Sequence, residues 1–255
     1  MISDSKERFT NRVDDYVRYR PGYPPAILEV LREHCGLTSE SVVADIGSGT
    51  GILTKVFLEA GNLVYGIEPN AAMREAAEEF LKPYPRFRSI NGSAEATTLA
   101  DSSVDFVTAG QAFHWFDVKG SREEFLRIFR PAGWVVVVAN ERVPDSPLQR
   151  DYEAILRKYG TDYDKVAATY PKYEQMKEFF GSVPFSGKSF PNVQVFDFEG
   201  LRGRLLSASY APPKDHPNHD PMLAELKRVF DVHQEDGRVR FEYKTQIQYG
   251  QLKPQ

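Results

Sequence analysis

Apolar positions along the first half of the chain alternate between two periods. Val42-Val43-Ala44-Asp45-Ile46 is a short apolar run rich in β-branched residues and predicts a buried strand. After a glycine-rich turn, Leu53, Val56, Phe57 and Ala60 fall at helical spacing, and Gly61 supplies the stop. The same alternation then repeats. Leu63-Val64-Tyr65-Gly66-Ile67 predicts a second strand, Asn70 starts a helix with Met73, Ala76, Ala77 and Phe80 inward, and Pro83 and Pro85 end it. Residues 87–90 and 104–109 predict strands three and four. A helix follows with Phe125, Ile128 and Phe129 inward, and Ser121 and Glu124 carry the spacing of a capping box at its start. Residues 134–139 are so continuously apolar that both faces of this fifth strand must be covered. Ile27, Leu28, Val30 and Leu31 place one further helix ahead of the first strand. Strands and helices in strict alternation, joined by short connections, predict an α/β fold: a Rossmann-like, doubly wound parallel sheet.

From about residue 140 the pattern changes. Asp145-Ser146-Pro147 opens a helical region carrying Leu148, Tyr152, Ile155 and Leu156, and Tyr159, Tyr163, Tyr170 and Tyr173 make it tyrosine-rich. Residues 141–190 are therefore expected to be a helical insertion over the mouth of the sheet, covering a substrate; a merely solvated helical face is the alternative. Residues 191–255 predict closing elements: a strand over 193–198, helices over 201–210 and 221–232, and a long alternating strand over 239–249. Ahead of the 26–140 core, residues 1–25 form a polar and aromatic leader whose tyrosines suit a capping segment.

Composition narrows the function. At 255 residues and 41% hydrophobic, the chain suits a single domain with a sizeable core. A net charge of -4 gives no electrostatic reason to expect nucleic acid as a partner. Cys35 is the only cysteine, so neither a disulfide frame nor a thiolate metal cluster is expected. His216 and His219 in a proline-rich loop read as a solvated turn and not as a metal site. No apolar run reaches membrane-spanning length and the first residues lack a signal-like apolar core, so no membrane association and a cytoplasmic monomer or homodimer are expected.

The chemistry concentrates at Gly47-Ser48-Gly49-Thr50-Gly51, between the first strand and its helix. Glycine lets backbone turn sharply and approach a ligand. Dinucleotide sites use G-x-G-x-x-G, whereas here the third glycine comes one residue early and Ile52 stands in its place. Asp45, just before the loop, would repel a pyrophosphate but suits a ligand bearing an ammonium group. Glu68 ends the second strand, where an acid can accept hydrogen bonds from ribose hydroxyls.

Asp45-Ile46-Gly47-Ser48-Gly49-Thr50-Gly51 resembles the first motif of the class I methyltransferases that use S-adenosylmethionine, most nearly the type 11 small-molecule group. The resemblance implies a mostly parallel sheet whose last strand is antiparallel, with S-adenosyl-L-methionine as cofactor and S-adenosyl-L-homocysteine as product. It also implies a cofactor site built from Asp45, Gly47, Ser48, Gly49, Gly51, Glu68 and the adjoining Pro69. The segment Gly92-Ser93-Ala94-Glu95 is similar to one that holds the adenine, through Ala94 and Glu95, and Gln111 after the fourth strand adjoins the same site. The leader Tyr16-Val17-Arg18-Tyr19-Arg20-Pro21-Gly22-Tyr23 is similar to a lid found in part of the group. There Arg20 would pair with the cofactor carboxylate, and Tyr16 and Tyr19 would border the methyl group.

The second informative stretch is Gln111-Ala112-Phe113-His114-Trp115-Phe116. His114 at a strand's carboxyl end is a candidate general base and Trp115 a candidate wall of the substrate pocket, with Tyr19 beside them; the plainer reading is core aromatics around a hydrogen-bonded histidine. The leading expectation is methyl transfer to an oxygen, nitrogen or carbon of a small molecule. A cofactor-binding protein without turnover is the alternative, followed by a nicotinamide-dependent oxidoreductase, which the glycine spacing disfavours.

Overall fold

The computed structural model describes residues 17–144, 146–161, 163 and 173–252. The first half follows the hydrophobic pattern closely. Helix α1 (Ala26–Cys35) precedes β1 (Val42–Ile46), α2 (Ile52–Glu59), β2 (Leu63–Ile67), α3 (Ala71–Phe80), β3 (Phe87–Ile90) and β4 (Val104–Gly110). A single 3-10 turn (Phe113–Trp115) leads to α4 (Val118–Ile128) and β5 (Phe129–Arg142). The second half contributes α5 (Pro147–Tyr159), α6 (Tyr173–Phe180), β6 (Ser186–Phe196), α7 (Phe198–Leu206), α8 (His219–His233) and β7 (Val239–Gln251).

These strands form one sheet in the order β3-β2-β1-β4-β5-β7-β6. β1 to β5 pair in parallel, and β7 runs antiparallel between β5 and β6, as the resemblance implied. One face packs Val43, Phe106, Val136 and Val138 against α1 and α2. The other packs Ala44, Val107, Val135 and Val137 with Phe125 of α4 and Phe179 of α6. A third cluster joins α5, α7 and α8 to β7 through Tyr152, Leu201, Met222 and Phe241. Both faces of β1 are buried along its length, which is why its residues are apolar without alternation.

Four sequence expectations change. The capping box at Ser121 is not formed: α4 starts a turn earlier, where the Asp117 carboxylate accepts the Gly120 N–H at 2.6 Å. Ser121 is fully buried inside the helix, and its hydroxyl donates back to the Asp117 carbonyl at 2.6 Å. β6 begins at Ser186, inside the segment expected to be insertion, and stops at Phe196 because Asp197 caps α7 through the Gly200 N–H at 2.8 Å. As an edge strand it carries exposed polar residues and Pro191, so its hydrophobic signal is weak. β5 runs from Phe129 to Arg142, well beyond the expected 134–139, because β7 pairs with it as far as Arg142. His219 is buried at the start of α8 with Nδ1 3.0 Å from the Pro212 carbonyl, not in a solvated turn.

Candidate functional site

β1 and β4 are neighbours, yet the chain runs outward from β1 through β2 and β3 before returning to β4. At such a switch point the loops leaving the two strands diverge and open a crevice at their carboxyl ends. Two cavities occupy it, one of about 560 Å³ and one of about 190 Å³. Gly47, Gly49, Gly110 and Gln111 line both, so the glycine loop and the end of β4 form the ridge between them.

The ridge is held by backbone hydrogen bonds and by one carboxylate. Gly47 and Ser48 donate to the Ile67 carbonyl at 2.8 and 3.1 Å. Glu68 reaches over from β2: Oε2 accepts the Gly49 N–H at 3.0 Å and Oε1 the Asn70 N–H at 2.9 Å. Gly49 has φ +56, and a Cβ built on it would meet no atom within 4 Å. Gln111 holds φ +57, a left-handed conformation that costs a non-glycine residue energy and that clusters at functional sites. Its amide Nε2 donates to the Asn140 carbonyl at 2.8 Å, while its buried Oε1 has no protein partner.

Asp45 is fully buried, accepting hydroxyl hydrogen bonds from Thr54 at 2.6 Å and Thr108 at 2.9 Å, and it lines the larger cavity. Burial pushes its pKa up to about 6, against the opposing pull of the two threonines. A carboxylate removed from water in this way has unmet demand for a cation.

The sequence candidates divide among these features. Glu68, Pro69, Ala94, Glu95 and Trp115 line the smaller cavity, where Glu95 Oε1 accepts the Asp117 N–H at 3.0 Å. Arg20, Asp45 and Ser48 line the larger one, and Arg20 Nη2 donates to the Ser207 carbonyl at 2.8 Å. Trp115 thus faces the Glu68 side of the ridge and not the larger chamber. Gly51 lines neither; its φ of +87 and a Cβ position 2.6 Å from Leu81 Cδ1 make it a packing glycine where α2 meets the C-terminal end of α3.

His114 also lines neither cavity. Its ring sits 4.7 Å from that of Trp115, and burial pushes its pKa down to about 4. The histidine expected as a proton acceptor is thus partly exposed but is not brought into either chamber. Tyr19 is turned away as well: a Cβ on Gly203 would come 2.1 Å from its ring, so α7 carries a glycine there to let the tyrosine pack. Tyr23 takes the place in the larger cavity that Tyr19 was expected to have, its hydroxyl close above Gly110. Tyr16 lies outside the described residues.

Several lining residues were not singled out by sequence. Gln149, Glu153 and Arg157 recur every four residues on α5, beside the buried Leu148, Ile155 and Leu156, and that polar stripe was the available signal. Arg142, at the end of β5, donates to Glu153 Oε2 at 2.7 Å and to the hydroxyls of Tyr163 at 2.5 Å and Tyr210 at 3.1 Å. Arg204 on α7 lines the same chamber, and nothing in the local sequence marks it. Among the described residues no cluster of metal-ligating side chains occurs, and no helix is long and apolar enough to cross a membrane.

Residues 44–137 match the family model described as methyltransferase domain, a span that runs from within β1 to within β5 and includes the glycine loop. An uncharacterised methyltransferase of Schizosaccharomyces pombe is 26% identical over 226 residues, 87% of this chain and 86% of its own length. Another, of Mycobacterium bovis, is 34% identical over 139 residues, 54% of each chain. Among solved structures, phosphoethanolamine N-methyltransferase 2 of Haemonchus contortus, in complex with phosphomonomethylethanolamine and S-adenosylhomocysteine, has a TM-score of 0.55 at 16% identity. It covers 96% of this chain and 58% of its own. In fold and in these matches the chain is similar to the class I S-adenosylmethionine-dependent methyltransferases.

Proposed function

We propose that the protein transfers a methyl group to a small molecule held in the larger cavity, with the cofactor lying across the ridge between the two chambers. The observation that carries this reading is the ridge itself. Gly49 leaves open space on both sides, flanked by an acid suited to each end of the cofactor: Asp45 in one chamber and Glu68 in the other. The buried, unpartnered Thr50 Oγ1 and Gln111 Oε1 add polar atoms that fit a ligand there. Asp45 would hold the ammonium group, Arg20 the carboxylate, Glu68 the ribose hydroxyls, and Ala94 with Glu95 the adenine edge. When bound, S-adenosylmethionine supplies an electrophilic methyl group on a sulfonium.

The protein's own part is positioning. The ridge fixes one reactant, the walls from β5, α5 and α7 fix the other, and enclosure keeps water away; such ordering supplies several kcal/mol of a barrier. A volume of about 560 Å³ falls within the range of small-molecule sites, about 300 to 1,000 Å³, and the cavity lies between the sheet and α5. Calorimetric titration with S-adenosylmethionine, S-adenosylhomocysteine and NAD tests the cofactor assignment. Binding of the first two and not the third is expected, and preferential NAD binding would overturn it.

The ionisation of Asp45 gives a pH signature. Its carboxylate must be ionised to hold an ammonium group, so cofactor affinity should be level above about pH 6 and fall up to about tenfold per unit below it. Stability of the cofactor-free protein should move the other way. The folded state holds this proton to about pH 6 and the unfolded chain only to the ordinary value of 3.8, so the free protein loses stability as pH rises through that window. The full difference is about 3 kcal/mol. Denaturant titrations at pH 4.5 and 7 should show this loss in the native sequence and not in Asp45→Asn, which should also bind the cofactor weakly at every pH. A cofactor affinity independent of pH between 5 and 7 would remove Asp45 from the site.

A further inference from the structure

The larger cavity ends on a cation that the protein does not neutralise. Arg204 is 4% exposed, yet among the described residues no carboxylate pairs with it. Nε donates to the Tyr243 hydroxyl at 2.9 Å, and the buried Nη1 has no partner at all. The aromatic rings of Phe241 and Tyr243 lie 5.8 Å from its Cζ, which eases the cost of burial without supplying a negative charge. A buried guanidinium without an anion is expensive, and arginine's planar fork matches a carboxylate with two parallel hydrogen bonds. Two further arginines line the chamber: Arg142 and Arg157 both reach Glu153, at 2.7 and 3.2 Å. Their field is felt locally: burial alone would raise the pKa of Tyr210, and Arg142, Arg204 and Arg20 together pull it below the ordinary value. Gln149, which lines the same chamber, has a buried Oε1 without a partner, and the Tyr152 hydroxyl, which feels the charge of Arg204, is buried without one as well.

Resting on the reading of this chamber as the acceptor site, we propose that the methyl acceptor is a small organic acid whose carboxylate is anchored by Arg204. Arg204 is then a positioning residue that selects anionic acceptors, and the methylated atom lies elsewhere on the same molecule, toward the ridge. Arg142, held by Glu153, adds its field at Tyr210 without occupying the anchor.

The test uses the full chain loaded with S-adenosylhomocysteine, whose own binding is measured first so that failure of the cofactor reading is seen separately. Succinate, glutarate and benzoate are titrated against their amides succinamide, glutaramide and benzamide, by calorimetry and by thermal shift, with the same series run on the cofactor-free protein. At least one carboxylate should bind, its amide at least about tenfold more weakly. Arg204→Met should lose the carboxylate by at least about thirtyfold, keep its S-adenosylhomocysteine affinity, and melt at the same temperature or higher, because the uncompensated charge is gone. Arg204→Lys should retain part of the binding. An anchor role is overturned if none of the carboxylates binds, if amides bind as well as acids, or if Arg204→Met binds the acid unchanged. A melting temperature that falls in both variants, with carboxylate affinity intact, would show that Arg204 serves the fold alone.

Discussion

Gly49→Val should raise the dissociation constant for S-adenosylmethionine by at least about 100-fold, about 2.7 kcal/mol, in a protein that still folds. Of the glycines in the loop, only this one separates ligand contact from folding. At Gly47 a Cβ would come 2.6 Å from Ala112 Cβ, and at Gly51 2.6 Å from Leu81 Cδ1, so side chains there press on the protein itself. At Gly49 nothing lies within 4 Å, and the residue borders both cavities, so a side chain would project into the crevice. The cost to the fold is conformational. A φ of +56 is left-handed, worth about 1 to 2 kcal/mol against an ordinary residue and more against a β-branched one. Gly49→Ala should share most of that strain while filling less of the crevice, so the two variants divide strain from obstruction. Calorimetry for the cofactor and denaturant titration for the fold provide the measurements. If Gly49→Val bound the cofactor within a few fold of the native sequence, the ligand would not cross the ridge.

The half of the molecule that builds the crevice could be read from sequence because each piece announces itself within a few residues. β1, β2 and β3 have the bounds that their apolar runs predict, and Asn70 caps α3 through the Met73 N–H at 3.0 Å as its position suggested. The glycine loop and Glu68 are legible for the same reason: a strand's end and a turn are local events. What was not legible depends on partners far along the chain. Whether His114 or Tyr23 faces a cavity is decided by how the 3-10 turn and the leader settle on other elements, and hydrophobic pattern reports burial without saying which buried space is hollow. Arg204 is the sharpest case. Its hydrogen bond to Tyr243 spans 39 residues and joins α7 to β7, the strand next to the sheet's edge, and its local sequence is that of any short amphipathic helix. The Ser121 capping box failed for a different reason. Asp117, four residues earlier, is an equally good cap, and once α4 begins there the Ser121 hydroxyl is taken by the Asp117 carbonyl.

Glu68 should prove costly to change in both stability and binding, and the two costs separate by choice of variant. In the cofactor-free protein each of its oxygens accepts a backbone N–H, from Gly49 and from Asn70. Glu68→Ala strips both, so the free protein should lose about 1 to 3 kcal/mol as two part-buried donors go unmet or find water. Glu68→Gln keeps one oxygen acceptor and turns an N–H toward the other donor, so it should lose about half as much. Cofactor binding ranks the variants differently. Ribose hydroxyls donate to a carboxylate through charge-assisted hydrogen bonds, each worth about 1.5 to 3 kcal/mol, and the amide forfeits the charge. Affinity should therefore fall about 10- to 100-fold in Glu68→Gln and about 100-fold or more in Glu68→Ala, with an adenine ring alone far less affected if it is held at the Ala94 and Glu95 end as proposed. Melting curves with and without S-adenosylmethionine read both effects in one experiment, since a ligand bound only by the folded state raises the midpoint with the logarithm of one plus the ratio of ligand concentration to Kd. Should Glu68→Gln bind the cofactor as tightly as the native chain, the carboxylate would be a brace for the glycine loop alone, and the ribose would have to be held by the backbone of the smaller cavity.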